Sequence, residues 1–177
     1  MDKENNLVAI IAPPSNPSEL PSEGGWAAVE KRLGVSLPDD YKRFIETYGS
    51  GCIGRFLWIF NPFSKNQNLN LERQIVTQAK VLEELQTYGE VMPFKSFPEQ
   101  EGILPFGITD NGDLLFWRTI GRPDDWSIVV NEARSPEWED FNLSISEFLT
   151  EILKRQLVCN CFPKSFPSLP LSYEASA

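Results

Sequence analysis

The sequence predicts an α+β domain in which helices pack on one face of an antiparallel sheet. Segments with helical spacing cluster around residues 26–48 and 144–153, near the two ends of the chain. Between them, three short apolar and aromatic runs at 103–107, 113–119 and 126–130 are separated by turn sequences, as in successive antiparallel strands. With 177 residues, the chain is long enough to bury a sizeable core as one domain.

Two N-terminal helices are predicted, over residues 26–33 and 38–48. Gly34 follows the first as a stop signal, and Pro38 fits the first turn of the second because its missing N–H has no helical partner there. Gly49 takes a left-handed position that ends the second helix. The residues on the inward faces are Trp26, Val29, Leu33, Tyr41, Phe44, Ile45 and Tyr48.

Gly49, Gly51 and Gly54 have the spacing of a dinucleotide-binding glycine fingerprint. That fingerprint needs a strand before the glycines and a helix after them, because the helix N-terminus holds the pyrophosphate. Here the helical pattern comes first, and a run typical of a strand follows at 56–60. We therefore interpret Gly51 and Gly54 as part of the turn into that strand, and we predict no phosphate site.

A long central helix is predicted over residues 69–87, closed by Gly89, and a last helix begins at the capping box formed by Ser144 and Glu147. The expected inward residues of the central helix are Leu71, Ile75, Ala79, Leu82 and Leu85. Between these helices, the pair Asn111-Gly112 favours a tight hairpin, so the predicted strands form an antiparallel meander.

Both ends of the chain are rich in proline. We interpret residues 1–23 as a loosely held N-terminal arm and residues 157–177 as an irregular tail. The folded domain is predicted to span residues 24–156.

The composition excludes several classes of function. No apolar run is long enough to span a bilayer and the N-terminus lacks signal-peptide features, so we expect a cytoplasmic protein. The three cysteines are too few for a disulfide framework. Histidine is absent, which removes the commonest general base and metal ligand. Cys159 and Cys161 are interpreted as ordinary thiols, because the sequence has no second cysteine pair and no histidine to complete a metal site. No metal, cofactor or catalytic residue is predicted.

The negative charge is concentrated in one part of the chain. Residues 99–151 contain 12 of the 25 acidic side chains but only three of the 16 basic ones, so the net charge of −9 arises there. The negative electrostatic potential of this region repels nucleic acid and anionic membranes and attracts basic surfaces.

Several motifs, in this order, carry a resemblance to a known family. They are an amphipathic helix at 26–33, a Leu-Pro-x-x-Tyr helix start at 37–41, a glycine pair, a Leu-Pro-Phe-Gly strand at 104–107, a Gly-Asp hairpin and a Ser-x-x-Glu-Phe-Leu helix at 144–149. Over residues 24–155 the chain resembles the SUKH superfamily.

The resemblance implies a non-catalytic binding domain with the SUKH-like α+β fold. Many bacterial members are immunity proteins of polymorphic toxin systems, which bind and neutralise a toxin domain, often a nuclease. We therefore expect a protein that occludes a cognate toxin with a basic surface, with its oligomeric state left open. From the acidic region and its tryptophans, the predicted partner-binding residues are Asp110, Asp113, Trp117, Asp124, Asp125, Glu132, Glu137, Trp138, Glu139 and Asp140.

Three alternatives stay open at this point. The acidic side chains can simply keep the edge of a sheet soluble. The protein can be a non-catalytic regulatory or scaffold module whose proline-rich arms recruit partners. It can also be a carboxylate-dependent hydrolase that uses Asp110 with Asp113, or Glu137 with Glu139.

Overall fold

A seven-stranded antiparallel sheet organises the part of the chain that the computed structural model describes, residues 5–176 with side chains from Leu7 onward. Residues 1–4 of the predicted arm and residue 177 of the predicted tail lie outside it. The helices are α1 (Asn5–Ile10), α2 (Gly25–Leu33), α3 (Asp39–Tyr48), α4 (Leu71–Thr87) and α5 (Ile145–Leu153). The strands are β1 (Gly51–Ile53), β2 (Leu57–Ile59), β3 (Ile103–Thr109), β4 (Leu114–Arg118), β5 (Ser127–Asn131), β6 (Trp138–Phe141) and β7 (Tyr173–Ala175).

The strand order is β6-β5-β4-β3-β2-β1-β7, so β1 to β6 form a continuous meander and β7 adds to its far edge. This confirms the predicted fold class. The pattern also corrects one assignment: Gly51 lies in β1, paired with β7, and is not part of a turn. The turn into β2 is formed by residues 54–56.

Helices cover both faces of the sheet, not one. Side chains alternate along a strand, so neighbours in β4 such as Trp117 and Phe116 belong to different clusters. The main cluster joins Trp117 to α1, α2, α3 and α5. On the other face, Leu82 of α4 packs with Ile103, Phe116 and Val129.

The sequence motifs act through specific contacts. Tyr41, in the Leu-Pro-x-x-Tyr motif, is fully buried, and its hydroxyl donates to the backbone oxygen of Phe60 at 2.6 Å, which ties α3 to the end of β2. The predicted capping box is present, since Ser144 accepts from the N–H of Glu147 and the Glu147 carboxylate accepts from the N–H of Ser144. The C-terminal glycine of α2, Gly34, has the expected positive φ.

From Leu7 onward the N-terminal arm is part of the packed structure, so the expectation of a loosely held arm is wrong for these residues. Leu7 and Ile11 are buried in the main cluster. The Tyr48 hydroxyl donates to the backbone oxygen of Ile11 at 2.8 Å, and Ser18 forms a bridge with Gly49.

The C-terminal tail runs across one end of the sheet, from β6 to β1. It begins beside β6 at Cys159, continues with Phe162 and Phe166 against Phe56, and ends by pairing β7 with β1. The expectation of an irregular tail is therefore wrong where β7 forms. We call residues 157–176 the C-terminal belt.

Between residues 5 and 176, none of the helices combines the length and the apolar character required to cross a membrane.

The conformation of Gly49 leads to a first prediction. Its φ of 66° and ψ of −150° belong to a region that only glycine adopts readily, and an added Cβ would collide with the backbone oxygen of Ser18. We expect Gly49→Ala to lower the free energy of unfolding by about 2–4 kcal/mol in urea denaturation.

Gly34→Ala is the matched control. Gly34 also has a positive φ, of 72°, but a Cβ there meets nothing within 4 Å. The expected loss is about 1 kcal/mol, from backbone strain alone. Equal losses for the two variants would show that the close approach of Ser18 contributes nothing.

Candidate partner-binding surface

The meander places the predicted acidic residues at two opposite ends of the sheet. The β3–β4 and β5–β6 turns, residues 110–113 and 132–137, share one end, which we call the hairpin end. The β4–β5 connection, residues 119–126, lies at the other, the opposite end. The five residues of β4 separate the two ends by about 15 Å. The acidic residues of the 99–151 stretch therefore do not form one continuous surface.

At the opposite end, the two predicted aspartates have local roles. Asp124 accepts a hydrogen bond from the backbone N–H of Asp39 at 2.7 Å, so it supplies a partner to the first residue of α3. Asp125 pairs with Arg122 at 2.9 Å, in an exposed ion pair. Exposed pairs of this kind contribute little to stability.

Asp113 is a structural residue, and its predicted contact with a partner is wrong. It is 2% exposed, and its carboxylate accepts from the Thr109 hydroxyl at 2.6 Å and from the backbone N–H of Ala133 at 3.0 Å. These bonds join the two turns of the hairpin end. The same burial separates Asp113 from Asp110, which is exposed, so the two carboxylates do not face each other as a hydrolase pair.

Trp117 is also buried and cannot reach a partner in this fold. It is 1% exposed and stacks on Phe106 with ring centroids 4.6 Å apart. Tyr41 meets it edge to face at 4.9 Å. Trp117 is thus a central residue of the core.

Three further predicted acidic residues bind neighbouring parts of the chain. Asp110 accepts from Trp58 Nε1 at 2.8 Å and lines an open groove of about 660 Å³ beside β7. Asp140, on edge strand β6, lies 3.7 Å from Arg118. Glu139 accepts from the backbone N–H of Cys161 at 2.9 Å, so it anchors the C-terminal belt.

The remaining predicted residues, Glu132, Glu137 and Trp138, lie together at the hairpin end, beside the C-terminus of α4. There the chain forms a cleft of about 180 Å³, which we call the apolar cleft. It is lined by Leu82, Leu85, Glu90, Val91, Met92, Asn131, Ser135, Pro136 and Trp138. Trp138 forms its wall, half-buried against Phe94 at 5.1 Å and Phe116 at 5.7 Å between ring centroids.

Val91 in the cleft lining and Tyr88, three residues before it in the chain, are large apolar side chains that are exposed to solvent. Val91 is 90% exposed and Tyr88 is 87% exposed. Both lie in the segment that follows α4. The sequence pattern did not predict their role, although the apolar pair at 91–92, which follows Gly89 and Glu90 in a polar stretch, is a signal that could have indicated an exposed site.

Carboxylates lie in and near the apolar cleft. Glu90 lines it, whereas Glu132 and Glu137 belong to the adjoining β5–β6 turn, where they are sequence neighbours of the lining residues Asn131 and Pro136. Among the side chains that the structure describes, none of these three glutamates forms an ion pair, and Arg134 is the basic residue of the same turn. An apolar centre with a charged border is the usual arrangement of a protein interface.

The meander sheet with helices on both faces defines a small α+β domain. A family model, SUKH_6, described as SMI1-KNR4 cell-wall, matches residues 23–149. The chain therefore belongs to the SUKH superfamily, whose members are generally non-catalytic. No curated protein and no solved structure matches the chain. The match leaves out α1 and the C-terminal belt, which both pack on the matched part.

The buried carboxylate of Asp113 yields a second prediction. Replacing it in Asp113→Ala leaves the N–H of Ala133 and the hydroxyl of Thr109 without this partner, so we expect the free energy of unfolding to fall by about 1–3 kcal/mol. Chemical denaturation followed by tryptophan fluorescence measures the change.

Asp125→Ala serves as the comparison, because its carboxylate forms only an exposed ion pair. Its expected effect is less than about 0.5 kcal/mol. If Asp113→Ala lowered the free energy of unfolding no more than Asp125→Ala does, Asp113 would not be the structural link between the two turns.

Proposed function

We propose that this protein is an immunity protein, which binds a cognate bacterial toxin domain at the apolar cleft and neutralises it by occluding its active site. The observation that supports this proposal is the exposed apolar surface around Trp138, with Glu90 in its lining and Glu132 and Glu137 in the adjoining turn, none of which forms an ion pair among the described side chains. The proposal places the protein in the cytoplasm, where such a toxin would act.

The apolar centre would supply most of the binding energy. Tryptophan and tyrosine are the residues most enriched among energetic hot spots of interfaces. Trp138 is held by Phe94 and Phe116, so little conformational entropy is lost when a partner covers it. Val91 and Tyr88 expose apolar area that a partner can remove from water.

The acidic border would select the partner. A toxin that cuts nucleic acid needs a basic groove for phosphates, and carboxylates attract the same groove. Glu90, Glu132 and Glu137 would therefore guide the encounter and raise the association rate. The same charges disfavour nucleic acid and anionic membranes as partners of this surface.

Inhibition of this kind is stoichiometric and uses no chemistry on the part of the inhibitor. One molecule covers one active site, and the carboxylates occupy the positions that substrate phosphates would take. The protein then needs neither a cofactor nor a catalytic residue at the cleft.

The alternative is a regulatory or scaffold module, which the words "cell-wall" in the family description suggest for some relatives. As predicted from the sequence, that alternative requires proline-rich arms that are available to recruit partners. In the described part of the chain, the N-terminal arm packs through Leu7 and Ile11 and the belt ends in β7, so these segments bind the protein's own core. We therefore favour toxin binding at the cleft.

The charged border provides a third prediction. The triple variant Glu90→Gln, Glu132→Gln and Glu137→Gln should associate with the proposed cognate toxin domain at least about tenfold more slowly at low salt. Surface plasmon resonance at several salt concentrations measures the rate, and protection of toxin-expressing cells measures function.

A charge-matched control is available at the opposite end of the sheet. Glu99→Gln, Glu101→Gln and Asp125→Asn remove the same number of exposed negative charges. At about 0.15 M salt, where the Debye length is about 8 Å, this control should change the association rate less than about twofold, because its charges lie at the other end of the sheet. Equal effects of the two triple variants would exclude the hairpin end as the specific docking surface.

A fourth prediction concerns the apolar centre. Val91→Ser should weaken toxin binding at least about fivefold while leaving the unfolding midpoint unchanged, since Val91 is 90% exposed in the free protein. Val158→Ser is the control, because Val158 is also highly exposed, at 72%, but follows α5. Unaltered toxin affinity in Val91→Ser, measured by titration calorimetry, would argue against the cleft.

A further inference from the structure

Two cysteines and a glutamate converge where β6 meets the C-terminal belt. Cys159 and Cys161 come from the start of the belt, and Glu139 comes from β6. Their thiol sulfurs and one carboxylate oxygen all lie within 4.8 Å of one another. The sequence alone indicates no further ligand beside the two cysteines. The fold brings the Glu139 carboxylate next to their sulfurs.

The spacing of these atoms fits a tetrahedral cation. Cys159 Sγ lies 3.7 Å from Glu139 Oε1. With a Zn–S distance of about 2.3 Å and a Zn–O distance of about 2.1 Å, two tetrahedral ligands stand about 3.6 Å apart. A zinc ion can therefore enter between the three ligand atoms with small side-chain adjustments.

The surroundings hold the ligands in place. Cys159 and Cys161 are buried at 5% and 9% exposure. The Glu139 carboxylate is oriented by the backbone N–H of Cys161 at 2.9 Å and by Asn160 Nδ2 at 3.0 Å. Hydrogen bonds of this kind fix ligand orientation in metal sites and leave further carboxylate lone pairs for a cation.

We propose that Glu139, Cys159 and Cys161 form a zinc site of the Cys₂Glu type, with a water molecule as the fourth ligand. Thiolate ligands select zinc over magnesium and calcium, which prefer oxygen. The two thiol protons leave to solvent when the ion binds. The two thiolates and the carboxylate then carry three negative charges against two positive ones, so the buried sulfurs are largely compensated.

The site would cross-link the edge of the sheet to the belt. Glu139 lies in edge strand β6, whereas the cysteines begin the segment that crosses the end of the sheet to β7. An ion bound to both restrains a segment that is distant in sequence, as structural zinc does in small domains. The ion would not contact the proposed toxin-binding surface, since Trp138 and Glu139 point to opposite faces of the sheet.

Cobalt(II) is a suitable probe because its thiolate complexes absorb light and zinc displaces it. We expect the reduced full-length protein to bind one equivalent of Co²⁺ with a sulfur-to-cobalt charge-transfer band, and one equivalent of Zn²⁺ to remove that band. Zn²⁺ should also raise the unfolding midpoint of the wild-type protein.

Three variants test the ligands. Cys159→Ser and Cys161→Ser should lose the charge-transfer band. Glu139→Gln should weaken Co²⁺ binding at least about tenfold while its amide oxygen still accepts from the N–H of Cys161, so its fold in the absence of metal is preserved. Unfolding curves recorded without metal verify that each variant is folded.

The third cysteine is an internal control. Cys52 lies in β1, five strands from β6 and therefore about 24 Å away across the sheet. Cys52→Ser should bind Co²⁺ like the wild type. The proposal is overturned if the reduced wild-type protein gives no charge-transfer band with excess Co²⁺, or if the band survives in both Cys159→Ser and Cys161→Ser.

Discussion

The antiparallel meander is the constraint on which the other features of this protein depend. In a meander, successive turns alternate between the two ends of the sheet, and successive side chains alternate between its two faces. The first rule separates Asp110 from Asp124, although both belong to one acidic stretch of sequence. The second rule separates Trp138 from its neighbour Glu139. A charge cluster in the sequence therefore becomes two surfaces and several internal contacts.

Covering both faces of the sheet explains where the exposed apolar surface arises. The main cluster receives α1, α2, α3, α5 and the start of α4, whereas the other face receives mainly the later part of α4 and the segment that follows it. Leu82 and Phe94 cover Phe116 and Val129. Trp138 lies at the edge of the region that Leu82 and Phe94 cover, so it is only half-buried. Val91 is exposed to solvent. The cleft is thus the border of the second, smaller core.

The sequence predicted those elements whose signals are local. The capping box at Ser144 and the stop at Gly34 are set by neighbouring residues, and both agree with the structure. β6 was missed because its sequence, Trp-Glu-Asp-Phe, contains two charges that belong to an exposed edge, and β7 was missed because it forms only by pairing with β1. Edge strands depend on their partner more than on their own residues.

The site residues were harder to predict for a related reason. Alternation shows that Trp117 and Phe116 face opposite ways, but it cannot show which face is exposed when helices cover both. Asp113 carries the same charge as Asp110, yet it is buried because Thr109 and Ala133 offer it hydrogen bonds. Only tertiary contacts distinguish the two, so the binding surface became visible only with the fold.

Strand β6 connects the two proposed activities of the molecule. On one face it presents Trp138 to the apolar cleft, and on the other it presents Glu139 to the thiols of the belt. As an edge strand it has a neighbour on one side only, β5, so contacts with its side chains contribute strongly to its position. The belt lies outside the matched family region of residues 23–149. A relative without such a belt would have to hold its edge strand, and the tryptophan position on it, by other contacts.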